Sequence, residues 1–356
     1  MQIDGKNKKI KISLSYVILI VLLAASVLVS LLFGAESLSL REILAKDGNR
    51  FSKIIFMQIR LPRTILALLT GALLAGSGTV FQMYFRNPLA EPGIMGISSG
   101  ATLGAVMVST LFMGTVLSND ITNAVNTTVR SAFMGTVSPV NIGAFLGALA
   151  AGLLVTVISN KKTGASATVA LLLCGTALGT FYSSLTSILL TAKSESLHTM
   201  YMWMLGSFSG RGWDEFILIL VPSVISIILM FVSCRKLDLL SGGEMTALSL
   251  GVEVGRLRML VIIAGSLATS AAVCAGGTIG FVGLIAPHVV RRIFGAKGKT
   301  LLPVSMVCGS VLLLFADTVS RVVVRPAEIP VGTITALLGA PFFIMLIFSK
   351  RGLKNG

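Results

Sequence analysis

Acid is scarce in this chain. Among 356 residues there are 14 Asp and Glu against 29 Lys and Arg, with two His, and 12% of the sequence is charged. A soluble helical domain needs a polar face on each surface helix. A chain that is 54% hydrophobic, with so few charges, has no means of wetting one at this length. Catalytic groups are just as sparse. His198 and His288 have no Ser, Cys or carboxylate at a spacing that suggests a triad, and no pair of acids shares a helix face. Cys174, Cys234, Cys274 and Cys308 lie far apart, in or beside apolar runs, which suits packing residues rather than a disulfide or metal framework. Gly298-Lys299-Thr300 looks like the tail of a phosphate-binding loop. That loop needs a glycine where Ile293 stands, and a strand before it. The chain is therefore expected to be no enzyme, to hold no metal or cofactor, and to hydrolyse no ATP itself.

What the chain has in quantity is apolar length, with a mean hydropathy of +0.91. Runs near 20 residues predict helices that cross a bilayer. Stretches such as 17–23 and 217–221 do not alternate, which argues against a membrane β-barrel. Ten segments stand out: 14–33, 62–81, 94–113, 140–159, 168–190, 213–233, 259–275, 280–293, 301–324 and 331–348. The eighth is short enough for a partial helix that re-enters from one side. The first follows Lys6, Lys8, Lys9 and Lys11. It is too long, with Ala24-Ala25-Ser26 in mid-run, for a cleaved signal peptide, and is read as a retained helix. The expected fold is an all-α membrane protein, a polytopic bundle of about ten transmembrane helices in one domain over 1–356, with a tail at 1–13.

Ten crossings put both termini on one side. Taken as cytoplasmic, that side carries 18 of the 29 Lys and Arg, as the positive-inside rule requires. The net charge of +15 then serves orientation and contact with anionic lipid, not nucleic acid. Six of the outer cations fall between Arg41 and Arg63, an excess that needs its own explanation. Glycines recur every fourth residue at 96, 100 and 104, at 143 and 147, and at 175 and 179, a spacing that lets membrane helices pack closely. Ala72–Gly76 and Ala272–Gly276 are alike, and each precedes a Pro-containing stretch. By the topology above they run in opposite directions, a faint inverted repeat of the kind transporters use. Met200, Met202 and Met204 surround Trp203, which reads as packing at the membrane interface.

A set of short motifs covers the chain in order from the second segment onward. Arg60-Leu61-Pro62-Arg63 comes first, then Asn87-Pro88-Leu89-Ala90-Glu91-Pro92-Gly93 and Gly96-Ile97-Ser98-Ser99-Gly100-Ala101. Leu248-Ser249-Leu250-Gly251-Val252 and Gly280-Phe281-Val282-Gly283-Leu284-Ile285-Ala286-Pro287-His288 follow. Ala316-Asp317-Thr318-Val319-Ser320-Arg321, Glu328-Ile329-Pro330-Val331-Gly332 and Leu338-Gly339-Ala340-Pro341-Phe342-Phe343 close the series. The ordered set resembles the iron-siderophore, haem and cobalamin permeases of ABC importers. The resemblance implies about ten helices per subunit and a second permease subunit, here a second copy of the chain, enclosing one pathway. It also implies two ATPase subunits that use ATP and Mg beneath, an extracytoplasmic substrate-binding protein above, and residence in the bacterial cytoplasmic membrane. The cargo it implies is a bulky metal chelate, a ferric siderophore first, with haem or cobalamin as the alternatives. The polar stretch 114–139 is long for that family's outer loops.

Residue by residue, the resemblance places Arg60, Arg63 and Arg321, with Arg325 beyond, at the outer mouth. Cations there suit the carboxylates of a docking protein. Asn87 and Leu89 become candidates for a cytoplasmic gate. Glu244, Met245, Ala247, Leu248, Leu250 and Gly251, within a loop over about 235–258, become the element that fits the ATPase, a short helix capped by Gly251 with another starting at 252–256. Asp317 is the one acid placed inside a helix, and Arg321 four residues later offers it an ion pair. The fifth segment is the richest in hydroxyls, with Thr176, Thr180, Ser183, Ser184 and Thr186, and is expected to line a weakly polar pathway at the dimer axis. A proton-coupled carrier using Asp317 or Glu91 is the competing class, and a membrane scaffold that transports nothing is a third.

Overall fold

The computed structural model describes residues 2–34, 50–113, 139–159, 165–192 and 197–348. Most of the polar stretch 114–139, together with Lys161 and Lys162, lies outside them. The principal helices are α1 (Gln2–Leu32), α2 (Leu61–Phe85), α3 (Ile97–Met113), α4 (Pro139–Ser159) and α5 (Ala165–Ala192). They continue with α6 (Trp213–Ser241), α7 (Val254–Gly276), α8 (Val282–Phe294), α9 (Gly298–Val322) and α10 (Val331–Phe348). No strand occurs among the described residues. Seven of the ten are long and apolar enough to cross a bilayer, and α3 and α10 are shorter apolar helices. The expected polytopic all-α fold is the one observed.

α8 has 13 residues. At 1.5 Å per residue it reaches roughly 20 Å, short of the ~30 Å hydrocarbon thickness. It is the partial helix anticipated for the eighth segment. Its first turn abuts the middle of α2, because a Cβ at Gly78 would overlap the Gly283 backbone.

Successive helices alternate in direction. Tyr84 at the end of α2 meets Arg258 at the start of α7, so these two run antiparallel. α2 and α9 do the same, joined by Gly71 against Gly309 and by Arg63 against Asp317. One end of the bundle, the arginine end, gathers the close of α1, the start of α2 and the close of α9. The other end, the loop end, carries the connection from α6 to α7.

α2 and α7 are buried over most of their length, whereas α1 and α5 are covered over little of theirs. The glycine pattern accounts for much of this. Gly100 and Gly104 of α3 lie against Gly147 and Gly143 of α4, backbone to backbone, and Gly96 faces Gly175 and Gly179 of α5. Gly96 is not on α3 itself. It ends the 3-10 turn Pro92–Met95 in a left-handed conformation, φ 71°, and α3 begins after it. The two copies of the faint repeat do run in opposite directions. They are not equivalent in place, since Pro88 follows α2 in a turn and Pro287 lies inside α8.

Pro62 stands in the first turn of α2, but the chain ahead of it is already helical. A short helix, Arg50–Ile54, and a π-helical turn, Ile55–Arg60, run directly into α2. Proline lacks an N–H and crowds the carbonyl four residues back. The wider π register absorbs that conflict one turn early, with Leu61 N–H bonding to Phe56 O.

Backbone contact at Gly78 leaves no room for a side chain. Gly78→Val is expected to lower stability by about 1–3 kcal/mol or more, read as a lower unfolding midpoint in detergent. Gly255→Ala, where a Cβ meets open space, serves as the control and shifts the midpoint little.

Candidate functional site

At the arginine end, three guanidiniums converge. Arg60 donates through Nη1 to the carbonyls of Leu31 at 2.9 Å and Leu32 at 2.6 Å. These belong to the last turn of α1, whose carbonyls have no partner within the helix. Arg63 donates through Nε (3.1 Å) and Nη2 (2.9 Å) to Asp317 Oδ1, and through Nη1 to both Glu328 oxygens at 3.0 and 2.9 Å. Arg321 meets Asp317 Oδ2 at 3.0 Å and also donates to the Ser30 hydroxyl and to the carbonyls of Ser30 and Phe33. The spacing-based Asp317–Arg321 pair is therefore part of a larger network that joins α1, α2, α9 and the segment after α9.

That network corrects one expectation. Arg60, Arg63 and Arg321 were placed as outward-facing cations, yet they are 4%, 5% and 3% exposed and Asp317 is fully buried. Cations and acids buried at the end of a bundle must be paired with each other and with open carbonyls, because an unpaired buried charge is costly. Only Arg325, on the exposed stretch 322–327, stands out from the surface.

At the loop end, Gly243 at φ 114° releases the chain from α6 into the short helix Glu244–Ser249. Gly251 at φ 81° then turns it back. Val252 N–H bonds to Ala247 O and Gly251 N–H to Leu248 O, both 2.9 Å, the pair of bonds that closes a Schellman cap. Ala247 and Val252 are buried beneath the cap, while Met245, Leu248 and Leu250 are exposed at 80%, 50% and 59%. Glu244 opens this helix. The second short helix expected at 252–256 is simply the first turn of α7, and Arg235 and Lys236 belong to the end of α6.

Between the two ends, Thr176, Thr180, Ser183 and Ser184 are all exposed on α5. Thr176, Thr180 and Ser184 each donate to a carbonyl three or four residues back, and Ser183 faces Ser99 of α3 at 3.5 Å. Thr186 departs from the set, buried and bonded to Tyr182 O. Beyond α2, Arg86 at φ 48° ends the helix, and the Asn87 side chain accepts the Leu89 N–H at 2.9 Å, a compact turn that leaves Leu89 40% exposed.

Several pairings are not visible in the sequence pattern. Glu91 accepts the Phe281 N–H at 2.9 Å, placing a carboxylate at the N-terminus of α8, where the helix dipole favours it. Phe281 itself is left-handed, φ 67°, and its ring packs on Gly339 of α10. A cavity of about 280 Å³ lies beside this contact, lined by Glu91, Ser98, Thr269 and Thr278 among others. Glu215 of α6 holds Arg211, the Gly212 N–H and Asn141, so Asp317 is not the single acid within a helix. Gly298 N–H, at the rejected phosphate-loop sequence, is capped by Asp238 at 2.7 Å. Glu215 with Arg211 and Gly212 is a local arrangement at the start of α6, whereas Glu91 with Phe281, Asp238 with Gly298 and Asn141 with Glu215 join distant parts of the chain, for which spacing along one segment gives no signal.

A polytopic helical bundle with exposed hydroxyls along α5 has the build of a membrane transport subunit. The chain belongs to the FecCD transport family, whose model matches residues 22–349. It is 39% identical over 299 residues to the ABC transporter permease protein YvrB of Bacillus subtilis, covering 84% of this chain and 80% of that one. The haemin transport permease HmuU of Yersinia pestis is 35% identical over 98% of this chain and all of its own length. The cobalamin import permease BtuC of Halobacterium salinarum is 39% identical over 84% and 75%. A solved metal-chelate type ABC transporter in an inward-facing conformation superposes with a TM-score of 0.77 at 34% identity, covering 93% of this chain and 97% of that one.

Removing one partner from a buried ion pair strands the other. Asp317→Ala is expected to cost about 3–5 kcal/mol, measured as the loss in unfolding free energy in mixed micelles. Arg256→Ala breaks a pair whose side chains are 83% and 61% exposed and should cost no more than ~1 kcal/mol.

Proposed function

We propose that this chain, as a single transmembrane domain, is the permease subunit of an ATP-binding-cassette importer in the bacterial cytoplasmic membrane, with both termini cytoplasmic. Two copies enclose one pathway, and the cargo is a bulky metal chelate, a ferric siderophore in the first instance. Haem and cobalamin are the alternatives within the same function, in keeping with the haemin and cobalamin permeases among the relatives. The chain binds no cofactor, and two separate ATPase subunits use ATP and Mg.

The observation that carries this reading is the outer face of α5. A lipid-facing surface is uniformly apolar, and a protein core is covered. The stripe at Thr176, Thr180, Ser183 and Ser184 is neither, being exposed and hydroxyl-lined. Most of its hydroxyls are satisfied on their own backbone, so it offers weak polarity without binding strength. A wide route for a large ligand needs that quality, since charges in the membrane either hold the ligand or demand costly desolvation.

The rest of the assembly fits around that face. Met245, Leu248 and Leu250 give the loop end an apolar patch on a capped, rigid helix, suited to a groove on the ATPase. The turn at Asn87 and Leu89 lies at the same end and serves as the gate. The arginine end, with Arg325 outermost, receives the binding protein. Proton carriage by Asp317 has no support, because that carboxylate is fully buried between two guanidiniums.

Cysteine at Thr180 or Ser184 is expected to cross-link to its counterpart, or to react with a water-soluble thiol reagent, with a yield that changes on adding nucleotide. Protection of both positions in every state removes α5 from the pathway. At the loop end, Leu248→Asp or Leu250→Asp should reduce transport-stimulated ATP hydrolysis severalfold while the unfolding midpoint holds. Normal coupling by both variants would show that this helix does not meet the ATPase.

A further inference from the structure

A guanidinium carries five N–H donors in a planar fork. In Arg63 they are divided unequally. The Nε and Nη2 edge is spent on Asp317, which is fully buried and shared with Arg321. The Nη1 edge is spent on Glu328. These two acids differ in how firmly they are held. Asp317 is fixed within α9 by two cations. Among the described residues Glu328, with a side chain 25% exposed, pairs with Arg63 alone. It sits after an exposed stretch in which Val323 and Val324 are 62% and 49% accessible. The backbone there is pinned independently, with Ile329 N–H bonding to Ser320 O at 3.1 Å. Glu328 can therefore leave Arg63 by rotation of its side chain, without unfolding the segment that carries it.

Among the described residues the cluster holds Arg60, Arg63 and Arg321 against Asp317 and Glu328, so cations there outnumber acids by one, and exposed Arg325 adds to the excess. An arriving carboxylate finds that excess, but the one edge of Arg63 not locked to Asp317 is already covered. We propose that Glu328 is an internal stand-in for the docking carboxylate. It neutralises Arg63 in the free subunit, and an acidic side chain of the extracytoplasmic binding protein displaces it on docking. The inference rests on the reading that the arginine end receives that protein. Docking then exchanges one bidentate ion pair for another of the same chemistry. Arg63 is never left bare, and release of the binding protein costs no unpaired buried cation.

The exchange predicts a gain of binding from loss of an acid, which a merely structural role for Glu328 does not. Affinity and association rate are measured between the permease–ATPase complex in nanodiscs and the binding protein that supports its uptake activity. Glu328→Gln should bind roughly two- to fivefold more tightly, the scale of one part-exposed pair. Its affinity should also fall more steeply with salt, because the cluster gains a net charge that screening removes. Unfolding midpoints verify the fold, and Glu328→Ser carries the comparison if the Gln variant does not assemble. Arg60→Gln and Arg63→Gln separate the two levels of the argument. If these weaken docking while the Glu328 variants bind no tighter than the parent, docking stands and the stand-in role is overturned. If all four variants bind as the parent does, the arginine end is not the docking surface and both readings fail.

Discussion

The Asp317 carboxylate has no contact with solvent, and the architecture of one end of the molecule follows from the partners that surround it. Two guanidiniums reach it from different helices, Arg63 on α2 and Arg321 on α9. Each of those cations has donors left over, and the donors find the open carbonyls of α1 and the Glu328 side chain. An unpaired ion in a water-free interior costs several kcal/mol, so the pairings are obligatory once Asp317 is buried. Ordinary hydrophobic contact would let the ends of these helices slide. A forked donor locked to a fixed carboxylate does not, and the register of α1, α2 and α9 is set there.

Below that point the bundle is held by approach rather than charge. Gly71 against Gly309 and Gly78 against Gly283 bring backbones together along α2, where dispersion is the main attraction available among apolar helices in lipid. The same closeness lets α8 stop at mid-depth. Its first turn is walled by α2 and capped by Glu91, so its free N–H groups do not face hydrocarbon. A short helix in a membrane is stable only with such surroundings. Around the nearby cavity, the carboxylate and the helix dipole offset each other.

Features that depend on neighbours along the chain were legible in the sequence. The ten apolar segments, the shortness of the eighth, the glycine turn after Leu250 and the Asp317–Arg321 spacing all follow from local pattern. So does the hydroxyl stripe of α5, except that the phase of the helix turns Thr186 inward. Features that depend on partners far away were not legible. Arg63 and Glu328 are 265 positions apart, and Glu91 and Phe281 are 190 apart. Spacing offers no signal for either pair. The outward direction assigned to the arginines failed for the same reason. Arg63 reads as exposed until its acid is located on another helix, Arg60 until the open carbonyls of α1 are, and the Asp317 spacing alone does not show that Arg321 is covered by α1 as well. The π-helical turn ahead of Pro62 is a third kind of case, in which one residue's conflict is absorbed by the turn before it rather than by ending the helix.

α1 has a consequence for how the chain is made. It is the least covered of the spanning helices, and its closing turn is held by Arg321, 291 residues later in the sequence. A ribosome working at 5–20 residues per second needs roughly 15–60 s to cover that distance. During that interval α1 stands in the membrane with the carbonyls of its last turn unclaimed by Arg321. A chain interrupted before α9 lacks that hold, and the closing turn of α1 then keeps what Arg60 and Thr64 give it.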